Sequence, residues 1–196
     1  MEILIGTTNH KKIDDYLECG VLKGVSLRTL KEFSFEDVEE NGKTLKENAL
    51  LKARTYFEKS GIPTLADDTG FFIHALDGFP GLFSGRVAGP HKNFRKVKEE
   101  IAKKLSACLD TRATFSTAIA YVDAHNAIVE QADVEGTYAY GAMPCREDRT
   151  GYRDAFLPQN SEKMLSDLTF QEKKHFVPRF LALAKMWATL KKENIV

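Results

Sequence analysis

Little in this chain of 196 residues would tie it to a membrane, a disulfide framework or a polyanion. No apolar run approaches the roughly 20 residues that a membrane-spanning helix needs, and the N-terminus carries no signal-peptide pattern. The three cysteines, Cys19, Cys108 and Cys145, are odd in number and far apart, so they make neither a CxxC metal pair nor a disulfide framework. That usage suits a reducing compartment, and a cytoplasmic protein is expected. Charge of one sign is also missing: 28 Lys and Arg balance 28 Asp and Glu. Such a balance does not fit a general surface for a nucleic-acid polymer, although it leaves room for a local basic pocket. His10, His74, His91, His125 and His175 do not pair at zinc-ligand spacing. Phe83-Ser84-Gly85-Arg86 lacks the glycine pattern of a nucleophile elbow, and there is neither a Walker lysine motif nor a dinucleotide fingerprint. Repeats, low-complexity tracts and Pro/Gly/Ser linkers are absent, so a single domain over residues 1–196 is expected.

What is present is enough length and apolar content, 43%, to bury a sizeable core. Met1 to Ile5 read as a first strand, followed by the small polar turn Gly6-Thr7-Thr8-Asn9 and a helix from Lys11 onwards. Val25 to Leu30 read as a second strand, pairing in parallel with the first. Thr44-Leu45-Lys46-Glu47 fits a capping box ahead of an amphipathic helix in which Leu45, Ala49, Ala53 and Phe57 recur every four residues. That helix is expected to end near Gly61-Ile62-Pro63. Ile62 to Ala66 and Phe71 to Leu76 read as two further strands, and a helix is expected from about Asn93 to Leu105. Ala113 to Val122 and Ala127 to Val134 form a long hairpin about Asp123-Ala124-His125-Asn126. Tyr152 to Leu157 add a strand, and Thr169 to Glu172 make a second capping box. Phe180, Leu183, Ala184 and Trp187 mark the apolar stripe of a C-terminal helix, while Phe71-Phe72, Phe79 and Phe83 read as core. The fold class is α/β in two lobes: a central mixed sheet flanked by helices, with a long antiparallel hairpin.

Three segments carry candidate chemistry. The first is Thr7-x-Asn9-x-x-Lys12, whose hydroxyl, amide and ammonium at a helix start suit a triphosphate. Its alternative is that Thr7 and Asn9 cap the helix and Lys12 is solvated. The second is the helix bearing Glu47, Asn48 and Lys52, where Glu47 serves the capping box and Lys52, taken alone, reads as a surface lysine. The third is Ala66-Asp67-Asp68-Thr69-Gly70, where two adjacent carboxylates close an apolar run. Neighbouring Asp residues repel, and a divalent cation or a ring of lysines would balance them. One carboxylate can then bind Mg²⁺ and take a proton from water while the hydroxyl holds a phosphate oxygen. The acidic run Glu36-Asp37-Val38-Glu39-Glu40 offers a further metal ligand or is a solvated loop.

Together these segments resemble the inosine/xanthosine triphosphate pyrophosphatase family. The matching pieces are residues 7–12, Gly42 to Ala53, Ala66 to Gly70 and Phe79-Pro80-Gly81-Leu82-Phe83-Ser84-Gly85-Arg86-Val87-Ala88-Gly89, with Ala113-Thr114-Phe115, Val134-Glu135-Gly136 and Glu172-Lys173 continuing the order. The resemblance implies a two-lobed fold, a homodimer, a nucleotide in the cleft between lobes, and hydrolysis of a purine nucleoside triphosphate to monophosphate and pyrophosphate with Mg²⁺. By the match, Asp68 would be the general base and a metal ligand, with Glu39 a second ligand in uncertain register with Glu40. Thr7, Asn9, Lys12, Lys52 and Thr69 would hold phosphates, and Lys173 and Arg179 would contact the nucleotide.

Departures concentrate in the base-reading region. The family pattern Gly-Phe-Gly-Tyr (or Trp)-Asp-Pro becomes Arg149-Thr150-Gly151-Tyr152-Arg153-Asp154, and the family's Ser-His-Arg becomes Val177-Pro178-Arg179. Thr150 stands where an aromatic would stack, Arg153 where a carboxylate would read the base, and Pro178 removes a donor while suiting the first turn of a helix. Tyr152 or Asp154 is left to compensate through a shifted loop. The phosphate half of the site is therefore expected intact and the base half rewritten. Two alternatives follow: a catalytically weak nucleotide-binding protein on the same scaffold, or a hydrolase of a different modified nucleotide.

Overall fold

In the computed structural model, which describes residues 1–144, 146–148 and 151–196, strand β1 (Glu2–Ile5) is followed by helix α1 (His10–Glu18) and strand β2 (Ser26–Thr29). Cys145, Arg149 and Thr150 lie outside the described residues. The strands β1 and β2 pair in parallel with Ile3 opposite Leu27, and β1 is buried from Ile3 to Ile5, as a strand covered on both faces should be. Helix α2 (Leu45–Ser60) is capped by Thr44, whose hydroxyl accepts from the Glu47 N–H. Gly61 ends it in the left-handed region at φ 68°, the conformation that glycine adopts without a Cβ penalty. The Glu47 carboxylate accepts from the Lys43 N–H rather than from the cap itself, so the expected capping box is only half made.

Strand β3 (Thr64–Ile73) follows, then β4 (Pro80–Gly81), α3 (Phe94–Leu105), β5 (Arg112–Val122), β6 (Ala127–Tyr138), β7 (Phe156–Pro158), α4 (Phe170–Phe176) and α5 (Pro178–Lys192). The sheet order is β2-β1-β3-β5-β6-β7 with β4 on β3. The β1–β3 pair is parallel, while β3–β4 and β6–β7 are antiparallel, so the sheet is mixed as expected.

The chain divides into two compact units, Met1–Asp68 with Thr117–Ala132 and Arg179–Val196, and Thr69–Ser116 with Asp133–Pro178. In the first, Leu4, Leu30 and Tyr56 form a core cluster against Phe33, Phe35, Val38 and Ile62. In the second, Phe71 is the hub of an aromatic core, stacked on Tyr152 at 5.1 Å and meeting Phe115 and Phe156 edge to face.

Three expectations are corrected. The two strands expected on either side of Asp67-Asp68-Thr69-Gly70 are one strand, β3, running through all four residues. A carboxylate pair breaks a strand only where its charge is unanswered, and here cations from other elements answer it. The C-terminal stripe is carried by Ala182, Leu183, Met186 and Leu190 with Phe180, whereas Ala184 is exposed. A separate helix, α4, precedes α5 because Val177, placed before Pro178, is extended at φ −92° and ψ 114°. Phe79 and Phe83, expected in the core, are exposed, with the Lys104 ammonium and the Arg86 guanidinium lying over their rings.

Candidate active site

Consecutive residues on a strand send their side chains to opposite faces, and β3 uses this to part its two carboxylates. On one face, Asp67 is fully buried. Its Oδ2 accepts from Lys12 Nζ at 2.9 Å and from Arg179 Nη2 and Nε at 3.1 and 3.2 Å, and its Oδ1 accepts from the Tyr16 hydroxyl at 3.4 Å. The other end of the same guanidinium donates from Nη1 to Asp15. Lys12, Asp15 and Tyr16 sit within one turn of α1, and Arg179 is the second residue of α5. Helix α1 is oriented for this by Asn9, whose side chain caps it by accepting from the Lys11 N–H, and by Thr7, which accepts from the Asn9 N–H.

On the other face, Asp68 Oδ2 accepts from Asn48 Nδ2 at 3.0 Å, and its Oδ1 lies 3.8 Å from Lys52 Nζ. The same ammonium is held by Glu40 at 2.5 Å. Asn48 and Lys52 are four residues apart on α2 and share its buried face. The Asn48 amide is fixed from behind by the Gly42 N–H, which donates to its Oδ1 at 2.8 Å. Gly42 has no alternative there, since a Cβ would stand 2.6 Å from that oxygen and 2.8 Å from Glu47 Cβ.

These surroundings drive the two neighbours apart electrostatically. Burial works to raise the Asp67 carboxyl, yet the charges of Arg179, Lys12 and Lys52 outweigh it and hold the group far below the usual carboxylate range. At Asp68 burial prevails over Lys52 and Lys12, with Glu40 adding to it, and the carboxyl is pushed up. Burial, with Lys52 and Arg179 beside it, brings the Lys12 ammonium down despite Asp67. The Lys52 ammonium is raised: burial opposes its charge, but Asp68, Asp67 and Glu40 prevail. Two carboxylates with separated proton affinities in one place are the arrangement that lets one stay a fixed anion while the other handles protons.

Of the residues singled out from the sequence, the first unit thus brings together Lys12, Lys52, Asp68 and Arg179 about β3, while Thr7 and Asn9 are engaged at the start of α1. Of the two acids in uncertain register, Glu40 reaches Lys52 while Glu39 is exposed. Lys52 is buried and Lys12 half-buried, each held by carboxylates rather than standing free in solvent. Asn48 was named with its helix but given no role, which its i, i+4 spacing to Lys52 could have supplied; Asp15 and Tyr16 carry no local signal.

Thr69, Tyr152 and Lys173 belong to the second unit. The Thr69 carbonyl accepts from the Ser84 hydroxyl at 3.1 Å. Tyr152 is buried, its hydroxyl donating to the Ser84 carbonyl at 3.0 Å, and Lys173 lies half-buried on α4. Asp154 is committed elsewhere: Lys98 Nζ contacts both its oxygens at 2.6 Å, and the Asp148 N–H donates to it at 2.9 Å. Pro178 opens α5, where its missing N–H costs nothing.

For a metal, the donor set on the Asp68 face is two carboxylates, Asp68 and Glu40, with a lysine between them. Hard oxygen donors suit Mg²⁺, which binds through one or two carboxylates and takes the rest of its shell from water and phosphate. Among the described residues no group of three or more His, Cys, Asp or Glu could hold a metal alone, so phosphate oxygens fit the role of completing the shell. No helix among the described residues is long and apolar enough to cross a membrane.

Known proteins resemble this chain along nearly its full length. The model of the Ham1 family matches residues 3–189. A dITP/XTP pyrophosphatase of Thermoanaerobacter pseudethanolicus is 33% identical over 95% of this chain and 94% of its own length. One of Aquifex aeolicus is 32% identical over 97% of both. Among solved structures, the Staphylococcus aureus Ham1 protein superposes with a TM-score of 0.86 at 30% identity, covering 98% of this chain and 100% of its own.

Proposed function

The chain belongs to the Ham1 family, and from that premise we propose that it is a nucleoside triphosphate pyrophosphatase. It hydrolyses non-standard purine nucleotides of the ITP, dITP and XTP type to the monophosphate and pyrophosphate. The observation that carries this reading is the divided pair on β3, with Asp67 pinned as an anion by Lys12 and Arg179 and Asp68 held with raised proton affinity beside Asn48 and Lys52.

Asp68 is the general base, taking the proton of the attacking water; a carboxyl shifted upwards accepts that proton more readily than an ordinary one. Asn48 orients it, leaving the second oxygen for water or metal. Lys12 and Lys52 neutralise charge on the polyphosphate as the bridge to the α-phosphorus breaks, and the hydroxyls of Thr7 and Thr69 with the Asn9 amide supply neutral donors. Asp68 and Glu40 are assigned as the Mg²⁺ ligands, in preference to the exposed Glu39, and the bound cation supplies charge neutralisation and a more acidic water. Lys173 is assigned to the nucleotide. Tyr152 and Arg179 act from buried positions rather than as open donors. A homodimer and a cytoplasmic location complete the proposal.

With Tyr152 and Asp154 both committed within the second unit and Arg153 standing where the family carries an acid, base preference is altered. Pyrophosphate release from ITP, dITP, XTP, the four common triphosphates and pyrimidine analogues, with Mg²⁺, tests both points. Turnover of the inosine and xanthosine forms supports the proposal. Turnover confined to a pyrimidine analogue replaces it with the second substrate class, and tight binding without hydrolysis replaces it with a nucleotide-binding protein.

A further inference from the structure

Asp67 Oδ2 carries two cations whose freedom to leave is unequal. Arg179 is anchored twice, its Nε and Nη2 on Asp67 and its Nη1 on Asp15, and its side chain is 7% exposed. Among the described residues the Lys12 ammonium contacts Asp67 alone, at the Oδ2 and the backbone carbonyl, and its side chain is 17% exposed. A buried carboxylate stripped of a cation is costly, because its charge cannot be answered by water. Lys12 can therefore turn from Asp67 to an incoming anion only if another cation stays behind.

We infer that Arg179 is a positioning residue for polyphosphate binding: by remaining on Asp67, it lets Lys12 leave that carboxylate for the phosphates. This rests on the proposed function and assigns Arg179 an action through Asp67 and Lys12, with no contact to the nucleobase. Asp15 is part of the device, since it ties the guanidinium to α1 and keeps it from following Lys12. Asp67 is then the holder that keeps the lysine in place until substrate arrives, and takes no part in proton transfer.

Inorganic tripolyphosphate separates this role from base reading, because it has no base. Binding to the metal-free full chain by calorimetry would be compared for the parent, Lys12→Met, Arg179→Met and Arg179→Lys. Arg179→Met takes two donors off Asp67 Oδ2 and leaves Lys12 to answer it, so tripolyphosphate and ITP should both bind roughly tenfold or more weakly. In nucleotide hydrolysis the loss should fall on KM more than on kcat. Adding Arg179→Met to Lys12→Met should cost little further, and adding Asp67→Asn to Arg179→Met should restore tripolyphosphate binding. Arg179→Lys, which keeps one cation for two carboxylates, gives an intermediate loss and serves if the Met variant does not fold. Unchanged tripolyphosphate affinity in the Arg179 variants, with Lys12→Met still impaired, overturns this inference and leaves the functional reading standing. Absence of any tripolyphosphate binding by the parent, both without metal and with Mg²⁺, overturns both.

Discussion

Each unit of the molecule buries charge, and they do so in opposite styles. In the second, Lys98 and Asp154 are 1% and 2% exposed and close on one another, with the Asp148 carbonyl and N–H completing the set. The ammonium and the carboxylate there answer one another within the protein. In the first, the cations Lys12, Lys52 and Arg179 face the anions Asp15, Asp67, Asp68 and Glu40, two cations share one carboxylate oxygen, and Lys12 retains access to solvent. A closed pair fastens a loop to a helix. A cluster with competing partners can exchange one of them for a ligand, which is how a binding site differs from a strut.

The contrast is broken most severely at Asp68. Asp68→Asn should lower pyrophosphate release roughly 10²–10⁴-fold with no loss of melting temperature; retention of full rate would remove Asp68 from the chemistry. Lys98→Met should instead act on stability, costing about 3–5 kcal/mol in urea denaturation because Asp154 is left buried without its cation. Lys98→Met with Asp154→Leu should recover most of that loss. A single variant within about 0.5 kcal/mol of the parent would show that the pair is no strut. Gly42→Ala is expected to displace the Asn48 amide from Asp68 and reduce kcat roughly tenfold to a hundredfold, since small misplacements at a reacting centre are expensive. An unchanged kcat would mean that Asn48 does not orient the base.

The smallest effect sharpens the difference between the two aspartates. Asp67 is depressed in the folded state, so its stabilisation is present above its unfolded value of about 4 and is lost as pH falls below that. Asp68 is raised, so the folded state holds its proton more tightly, and stability declines as pH rises from about 4 through the raised value. In metal-free protein, Asp68→Asn should therefore gain melting temperature relative to the parent as pH rises above about 4, while both lose stability alike in acid. Parallel profiles for the two proteins across that range would contradict the assignment.

Local chemistry was readable in the sequence where one short segment sufficed. The start of α3 near Asn93, the Thr169 cap, the Gly61 terminus, the proline at the head of α5 and the turn Asp123–Asn126 all depend on neighbours within a few residues. The acidic motif on β3 was legible as a site but misread as a strand break, because the charges that make it tolerable come from α1, α2 and α5. Lys52 read as a surface residue for the same reason: its partners Glu40 and Asp68 lie 12 and 16 positions away in sequence. Arg179 and Asp67 are 112 residues apart, and no spacing rule connects them. Phe83 shows the converse error, since an aromatic was taken as core although it lies 56% exposed.

The alternation of β3 has one further consequence. Because neighbouring positions face opposite ways, slipping this segment by a single residue would turn both aspartates to the wrong face. One residue added ahead of them would bring Asp67 to the amide of α2 and carry Asp68 away from it, and one residue removed would lock Asp68 between a guanidinium and an ammonium and take Asp67 from them. Strand alignment is thus a polarity setting for the chemistry, and lengthening or shortening the chain between Pro63 and Asp67 should abolish it without altering a single functional group.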